Sequence, residues 1–332
     1  MNKMNELSGF VSGTGLVFDP NPAVTLNDEN IRDNSPAREF DAAYIKVDVP
    51  ELTLKNGNYI LKGPYAHIDD FESPSTLAST TTDGNWNAKR GDNAFNDINT
   101  YYHIDQNQRY IQSLGYTGDK AFLNFPIKID TDGVQGSDNS HFIPSTNKLA
   151  FGHGCVDDNE DTDVILHEYG HAIQHNIVPR WRGGDTGAMG EGFGDYWAAS
   201  YSASRPNGMD YHPEWVFKWD GHNNCWGGRV LDATHMRYNA RTHYGAHSRV
   251  SDGTSDELWS TPLFQAFLEL KAQGYPRSDM DKIVLEAHYG IGSGPKMRDL
   301  AKLTVKAARA LFPNGPHADV YLAKFKAQNI IE

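Results

Sequence analysis

Two pairs of polar residues, each spaced four apart, most constrain how this chain of 332 residues can fold. His167 and His171 form the first pair, and Glu191 and Asp195 form the second, which begins twenty residues after His171. Residues four apart lie on one face of an α-helix, about one turn from each other. The segment between the pairs contains Pro179 and several glycines, as a tight return loop requires. The sequence therefore predicts two neighbouring antiparallel helices whose polar faces meet.

The first pair has the spacing of a metal site, in the stretch His-Glu-x-x-His. Two imidazoles one turn apart can reach one cation at about 2.0–2.1 Å, the usual Zn–N distance. Glu191 would complete a His₂Glu set and leave one position to water, as in catalytic zinc sites. Glu168 points too far round the helix to be a ligand, but it reaches a water molecule on the same cation, where a general base belongs. Asp195 would accept the second ring N–H of a ligand histidine and fix its orientation.

The overall composition excludes several other classes of protein. Aromatic residues make up 11% of the chain, the formal net charge is −13, and no Lys/Arg cluster is present, so we expect no nucleic-acid partner. No stretch approaches the roughly 20 apolar residues that a membrane span needs, so we expect no membrane partner either. The two cysteines, Cys155 and Cys225, allow at most one disulfide, and the sequence leaves open whether they pair.

The order of predicted elements indicates an α+β fold. Short strands at 43–47, 59–61 and 148–152 surround a helix at 94–114, and Pro126 marks residues 122–129 as an edge strand. Helices are predicted from about residue 161 onwards, at 161–175, 190–203, 260–273, 280–287, 297–311 and 318–328. We therefore predict a β-rich N-terminal lobe with one long helix (1–155) and a mainly helical lobe (156–332). The active site is expected at the seam between them, where clefts commonly form.

Several segments resemble the fungalysin-type metallopeptidases, which are relatives of thermolysin, and the bacterial members most closely. They include HEYGHAIQ (167–174), GEGFGDYWA (190–198), and Phe151-Gly152-x-Gly154 with the acidic run that follows it. Together with matches at 17–22, 102–111 and 307–312, the resemblance covers nearly the whole mature catalytic region. It implies a thermolysin-like, two-lobe fold and a zinc endopeptidase. It also implies that His167, His171 and Glu191 bind Zn²⁺, that Glu168 is the base, and that Asp195 supports a ligand.

The resemblance implies two further site residues. Family members have a histidine that stabilises the transition state, shortly before a Gly-Glu-hydrophobic-Trp segment. Here Glu257-Leu258-Trp259 matches that segment, Asp256 replaces the glycine, and His247 is the best upstream histidine, with His243 as its rival. Thermolysin relatives also bind the substrate backbone along an edge strand that begins at an asparagine, a position that Asn139 matches. The implied substrates are peptides or proteins, with a hydrophobic residue just after the cleaved bond.

The family is normally made with a secretion signal and an inhibitory pro-region, and this chain shows neither. We therefore expect either a mature secreted protein or a member that works without them, with a cytoplasmic location as the alternative. We also expect a monomer. Secreted relatives of thermolysin often bind Ca²⁺, and the hard-oxygen run at 157–161 offers a possible site, although it equally suits the cap and loop before the zinc helix.

Two other functions fit the same motif. Zinc aminopeptidases share His-Glu-x-x-His and a distant glutamate, but they carry a Gly-x-Met-Glu-Asn segment before the zinc helix. The similar segment here, 187–191, comes after that helix, and Glu191 is already needed as a ligand. A catalytically inactive zinc-binding protein is the other alternative, although structural zinc sites usually have four ligands and are rich in cysteine.

Overall fold

The computed structural model describes residues 9–332, in which the longer strands precede residue 152 and the longer helices, except one, follow residue 161. The strands of the two larger sheets are β1 Phe10–Val17, β2 Ile45–Lys55, β3 Asn58–Ile60, β4 Ala66–Ile68, β5 Thr80–Thr81, β6 Asn85–Trp86, β7 Ile127–Asp130, β8 Ser140–Ile143 and β9 Lys148–Phe151. Two small antiparallel pairs follow, β10 Trp215–Val216 with β11 Arg229–Val230, and β12 Arg249–Val250 with β13 Gly253–Thr254.

The first sheet has the strand order β5-β3-β2-β1-β6, and its centre is the long antiparallel pair of β1 and β2. Only β6 runs parallel to its neighbour β1 among these described strands. Gly13 in β1 lets the chain just before β6 approach closely, because a Cβ at that position would lie 2.4 Å from the carbonyl oxygen of Gly84. This sheet lies at the N-terminal end of the chain and does not contribute to the site described below.

The second sheet has the order β4-β7-β9-β8, with β4, β7 and β9 parallel and β8 antiparallel to β9. The predicted edge strand at 122–129 is wrong, because β7 is an interior strand. Pro126 lies just before β7 begins, so its missing N–H removes no hydrogen bond from the ladder. The edge next to α3 is instead formed by β8, which Asn139 immediately precedes.

The helices confirm most of the predicted pattern. They are α1 Pro22–Leu26, α2 Asn93–Ser113, α3 Thr162–Ile177, α4 Thr186–Ala203, α5 Ser255–Ala272, α6 Arg277–Glu286, α7 Met297–Leu311 and α8 His317–Ala327. α4 begins four residues earlier than predicted, because tertiary packing holds Gly187 and Gly190 in a helix despite their low helix propensity. α3 begins at an N-cap, Asp161, whose side chain accepts a hydrogen bond from the backbone N–H of Asp163 at 3.0 Å.

One continuous apolar core joins both halves of the chain. It contains Ile98 of α2, Leu149 of β9, Ile165 of α3 and Trp259 of α5, all at most 1% exposed. The division into lobes at residue 155 remains a prediction, since strands and helices on either side of it share this core. Cys155 is joined to Cys225 by a disulfide across 70 residues. Within the described chain, no helix combines the length and apolar character needed to cross a bilayer.

Candidate functional site

The site is built on the close packing of α3 against α4. Gly170 and Gly194 face each other there, because a Cβ on Gly170 would lie 3.0 Å from the Cα of Gly194. A Cβ on Gly194 would also lie 2.7 Å from Nδ1 of His167. Any side chain at residue 194 would therefore push the imidazole out of position. The glycines of the GEGFGD segment thus allow the polar faces of the two helices to meet.

The structure brings His167, His171 and Glu191 together. Nε2 of His167 lies 3.2 Å from Nε2 of His171 and 3.1 Å from Oε2 of Glu191. Nε2 of His171 lies 3.4 Å from the other oxygen of Glu191. Ligand atoms about 2.0–2.1 Å from a tetrahedral zinc ion are separated by roughly 3.3–3.4 Å. The observed separations of 3.1–3.4 Å fit a zinc ion held by these three side chains.

Asp195 contacts Nδ1 of His167, and Arg229 in turn contacts Asp195. Nδ1 of His167 lies 2.8 Å from Oδ1 of Asp195. The guanidinium of Arg229 donates two hydrogen bonds to the Asp195 carboxylate, at 2.6 and 2.8 Å. Asp195 is fully buried and Arg229 is 11% exposed. This carboxylate therefore has a fixed orientation, because the arginine holds both of its oxygens and Oδ1 also faces the histidine.

The charges of this cluster compensate one another. Burial alone would raise the pKa of Glu191, but the nearby imidazoles of His171 and His167 hold it well below its usual range. Burial lowers the pKa of His167, yet Asp195 and Glu191 outweigh it and raise that pKa to about 10. Arg229 likewise holds the pKa of Asp195 below its usual range against the effect of burial. The carboxylates of Asp195 and Glu191 thus stabilise a positive charge at His167.

His247 approaches the cluster from the loop before α5. Its Nε2 lies 3.8 Å from Oε2 of Glu191, and its Nδ1 donates to Oδ2 of Asp256 at 2.6 Å. The backbone N–H of His247 donates to the other oxygen of Asp256 at 2.9 Å. His243 is exposed and does not line the cavity at the cluster. The structure therefore places His247, and not its rival, beside the three clustered residues.

A cavity of about 770 Å³ opens over the cluster. Glu168, 7% exposed, lines it beside His167, and Asn139 lies at its rim where β8 begins. Gly152 lets this rim fold inward, because a Cβ there would lie 1.9 Å from the carbonyl oxygen of Ser137 and 2.6 Å from that of Asn139. An extended peptide could add to the free edge of β8 as a further strand and cross the cluster.

The acidic run at 157–161 is dispersed among structural contacts. Asp161 caps α3, and Glu160 accepts hydrogen bonds from Arg90 at 3.0 Å and from the indole of Trp219 at 3.1 Å. Within residues 9–332, Asp158 is the only member of the run that joins other carboxylates in a close group. The run by itself does not form the calcium site that its composition suggested.

Two residues of the site were not predicted from the sequence as functional. Arg229 lies in the short strand β11, and no motif distinguishes it from other arginines. Asp256 had been noted only as a departure from the family's glycine, and the structure shows that its carboxylate holds His247. The available signal was an acidic residue in place of the family's glycine, nine residues after His247.

Comparison with known proteins supports the fold. No protein-family model matches the sequence, and no curated protein matches it either. Among solved structures, the chain is similar to the precursor of protealysin, a metalloproteinase from Serratia proteamaculans, with a TM-score of 0.56. The match covers 79% of this chain and 85% of that one, at 11% sequence identity.

At this identity the likeness shows the fold alone. The predicted α+β, thermolysin-like architecture is confirmed. Assignment to the fungalysin type remains a prediction.

Proposed function

We propose that the protein is a zinc metalloendopeptidase. The observation that carries the proposal is the His167–His171–Glu191 cluster, whose separations suit a tetrahedral zinc ion and which shares a cavity with Glu168. The donor set, two imidazoles and one carboxylate, is that of catalytic rather than structural zinc sites. The similarity to a metalloproteinase precursor is consistent with this chemistry.

In this proposal each residue has a distinct task. A zinc ion in the site supplies Lewis acidity and makes water a stronger nucleophile at neutral pH. Glu168 accepts the proton of the attacking water and passes it to the departing amine. His247 donates a hydrogen bond from Nε2 to the oxyanion that develops on the scissile carbonyl. Asn139 and β8 bind the substrate backbone, and Asp195 keeps His167 in the orientation that the metal requires.

The protonation of the His247 ring should determine how activity depends on pH. Because Nδ1 donates to Asp256, Nε2 carries a proton only while the ring is cationic. The hydrogen bond to Asp256 is the main cause that raises the pKa of His247. Activity should therefore persist to higher pH than an ordinary histidine allows and fall as pH rises through the raised pKa. In Asp256→Asn we expect the alkaline limb of the kcat/KM profile to move to lower pH.

Removing the imidazole of His247 should lower activity more than a change in its pKa does. His247→Ala is expected to lower kcat/KM by about 10²-fold, typical of one lost oxyanion donor, and to abolish the alkaline limb. His243→Ala, a change of the same type at an exposed histidine, is the matched control and should leave the profile unchanged. If the His243 variant lost activity and the His247 variant did not, the assignment would pass to His243.

Metal removal and peptide blocking together test the function. Dialysis against a chelator should abolish peptide hydrolysis, and one equivalent of Zn²⁺ per chain should restore it, with metal content measured alongside. N-acetylated and unblocked peptides should be cut at the same internal bonds at similar rates. Cleavage restricted to unblocked peptides would indicate an aminopeptidase, and a zinc-loaded chain without any turnover would indicate a binding protein.

We also propose that the protein acts outside the cytoplasm. The Cys155–Cys225 disulfide supports this location, because disulfides persist mainly in oxidising compartments.

The apolar side chains of Phe142, Val164 and Phe217 in the cavity wall could accept the hydrophobic residue that the family resemblance implies. Another part of the same wall is acidic.

A further inference from the structure

A second group of carboxylates, Asp138, Asp158 and Asp220, lines the same cavity as Glu168. Each offers one oxygen, and these three oxygens lie within 4.8 Å of one another. Asp158 and Asp220 are 3% and 6% exposed, whereas Asp138 is exposed. Three like charges at this distance repel strongly unless a cation or a proton lies among them. We call these residues the acidic triad.

The two buried members of the acidic triad each have one oxygen without a partner. Oδ2 of Asp158 accepts from the hydroxyl of Ser140, and Oδ2 of Asp220 accepts from Nε1 of Trp226 at 3.0 Å. The Oδ1 atoms of both carboxylates are buried and have no hydrogen-bond partner within residues 9–332. Buried carboxylate oxygens are normally satisfied, so these two atoms indicate either a proton shared between Asp158 and Asp220 or a ligand that donates hydrogen bonds or positive charge.

No side chain of the described residues supplies that charge. Neither lysine, arginine nor histidine within residues 9–332 forms an ion pair with any member of the acidic triad. Burial is the main cause that raises the pKa of Asp220 to about 7, and the charge of Asp138 adds to it. The pKa of Asp158 is raised well above its usual range, also mainly by burial. Within residues 9–332, the negative charge of the triad is thus balanced by no lysine, arginine or histidine side chain.

The acidic triad is close to the groups that would cut a peptide. Asp158 lines the same cavity as Glu168 and His167. Asp138 immediately precedes Asn139 and the edge strand β8. Gly154 permits this placement, because a Cβ there would lie 2.3 Å from the backbone nitrogen of Asp138. A peptide paired with β8 would therefore pass the triad close to the scissile bond.

We propose that the acidic triad is a subsite for a lysine or arginine side chain of the substrate, next to the scissile bond; this rests on the proposed peptidase function. An ammonium group has three donors, which match one oxygen from each of the three carboxylates. The aliphatic stem of the side chain would pack against Trp226 in the cavity wall. Ca²⁺ suits the triad less well, because it takes six to eight oxygen ligands. Two carboxylate oxygens of the triad already accept hydrogen bonds, from Ser140 and Trp226.

The inference is tested with pairs of peptides that differ in one residue. A peptide that the zinc-loaded protein cuts is made with lysine or with norleucine, which has a similar stem but no charge, directly before or directly after the cut bond. At one of these two positions we expect kcat/KM to be at least tenfold higher for lysine, because charge-assisted hydrogen bonds replace neutral contacts. Equal rates at both positions would overturn the subsite while leaving the peptidase function intact. If no peptide is cut at all, both fail.

Asp138 allows a variant that should fold, because its side chain is exposed. In Asp138→Asn the ratio of lysine to norleucine turnover should fall about tenfold, and in Asp138→Lys, which places an ammonium group in the subsite, the preference for lysine should disappear. Asp119→Asn, at another exposed aspartate outside the cavity, is the matched control and should keep the wild-type ratio. An unchanged ratio in Asp138→Asn would overturn the proposal. So would Ca²⁺-dependent thermal stabilisation that Asp158→Asn removes, together with no preference for lysine.

Discussion

Glu168→Gln is expected to lower kcat/KM for peptide hydrolysis by about 10²–10⁴-fold, the usual contribution of a positioned general base. Glutamine keeps the size and position of the side chain in the cavity wall, but it cannot take a proton from water. The three side chains at the metal position, His167, His171 and Glu191, are untouched by the change. The variant should therefore bind one zinc ion per chain, as measured by elemental analysis, while hydrolysis almost disappears.

Glu39→Gln is the matched control, because Glu39 is exposed and is not among the residues that line the cavity. It should keep both zinc content and turnover. Retained turnover in Glu168→Gln would show that another group activates water, and the proposed mechanism would be wrong. Loss of zinc in Glu168→Gln would show instead that Glu168 is itself a ligand, which the position of the residue on α3 argues against.

The part of the site that sequence predicts is the part that local geometry determines. His167 and His171, like Glu191 and Asp195, are related by one helical turn, and this relation survives any tertiary arrangement. The short loop between α3 and α4 then leaves few ways for the two faces to meet. The helix α7 was likewise predicted at its observed bounds, 297–311.

The remaining part of the site depends on contacts between distant segments. Arg229 reaches Asp195 across 34 residues, and the acidic triad joins segments separated by 20 and 62 residues. No local pattern determines such meetings, because they depend on how loops return to the sheet and to α3. The error at Pro126 has a similar origin. Whether a proline lies inside a strand or just before it depends on where strand pairing begins, and this pairing involves distant segments.

Arg229→Met is expected to lower the free energy of unfolding by about 3–5 kcal/mol, the usual effect of removing one partner of a buried ion pair. The fully buried carboxylate of Asp195 would lose two hydrogen bonds, at 2.6 and 2.8 Å, together with the positive charge that holds its pKa low. Methionine fills much of the space of the arginine stem, so the loss is mainly electrostatic. Denaturant unfolding of the zinc-loaded protein measures the change.

A lysine in an exposed ion pair provides the control for this change. Lys128 lies 2.7 Å from Asp69 with 47% of its side chain exposed, so Lys128→Met should alter stability far less, because solvent screens that pair. Adding Asp195→Asn to Arg229→Met should recover part of the lost stability, since the uncompensated charge is then removed. If Arg229→Met were as stable as the wild type, the ion pair would not be what holds Asp195 behind His167. The orientation of the ligand would then have to come from the packing of α3 against α4 alone.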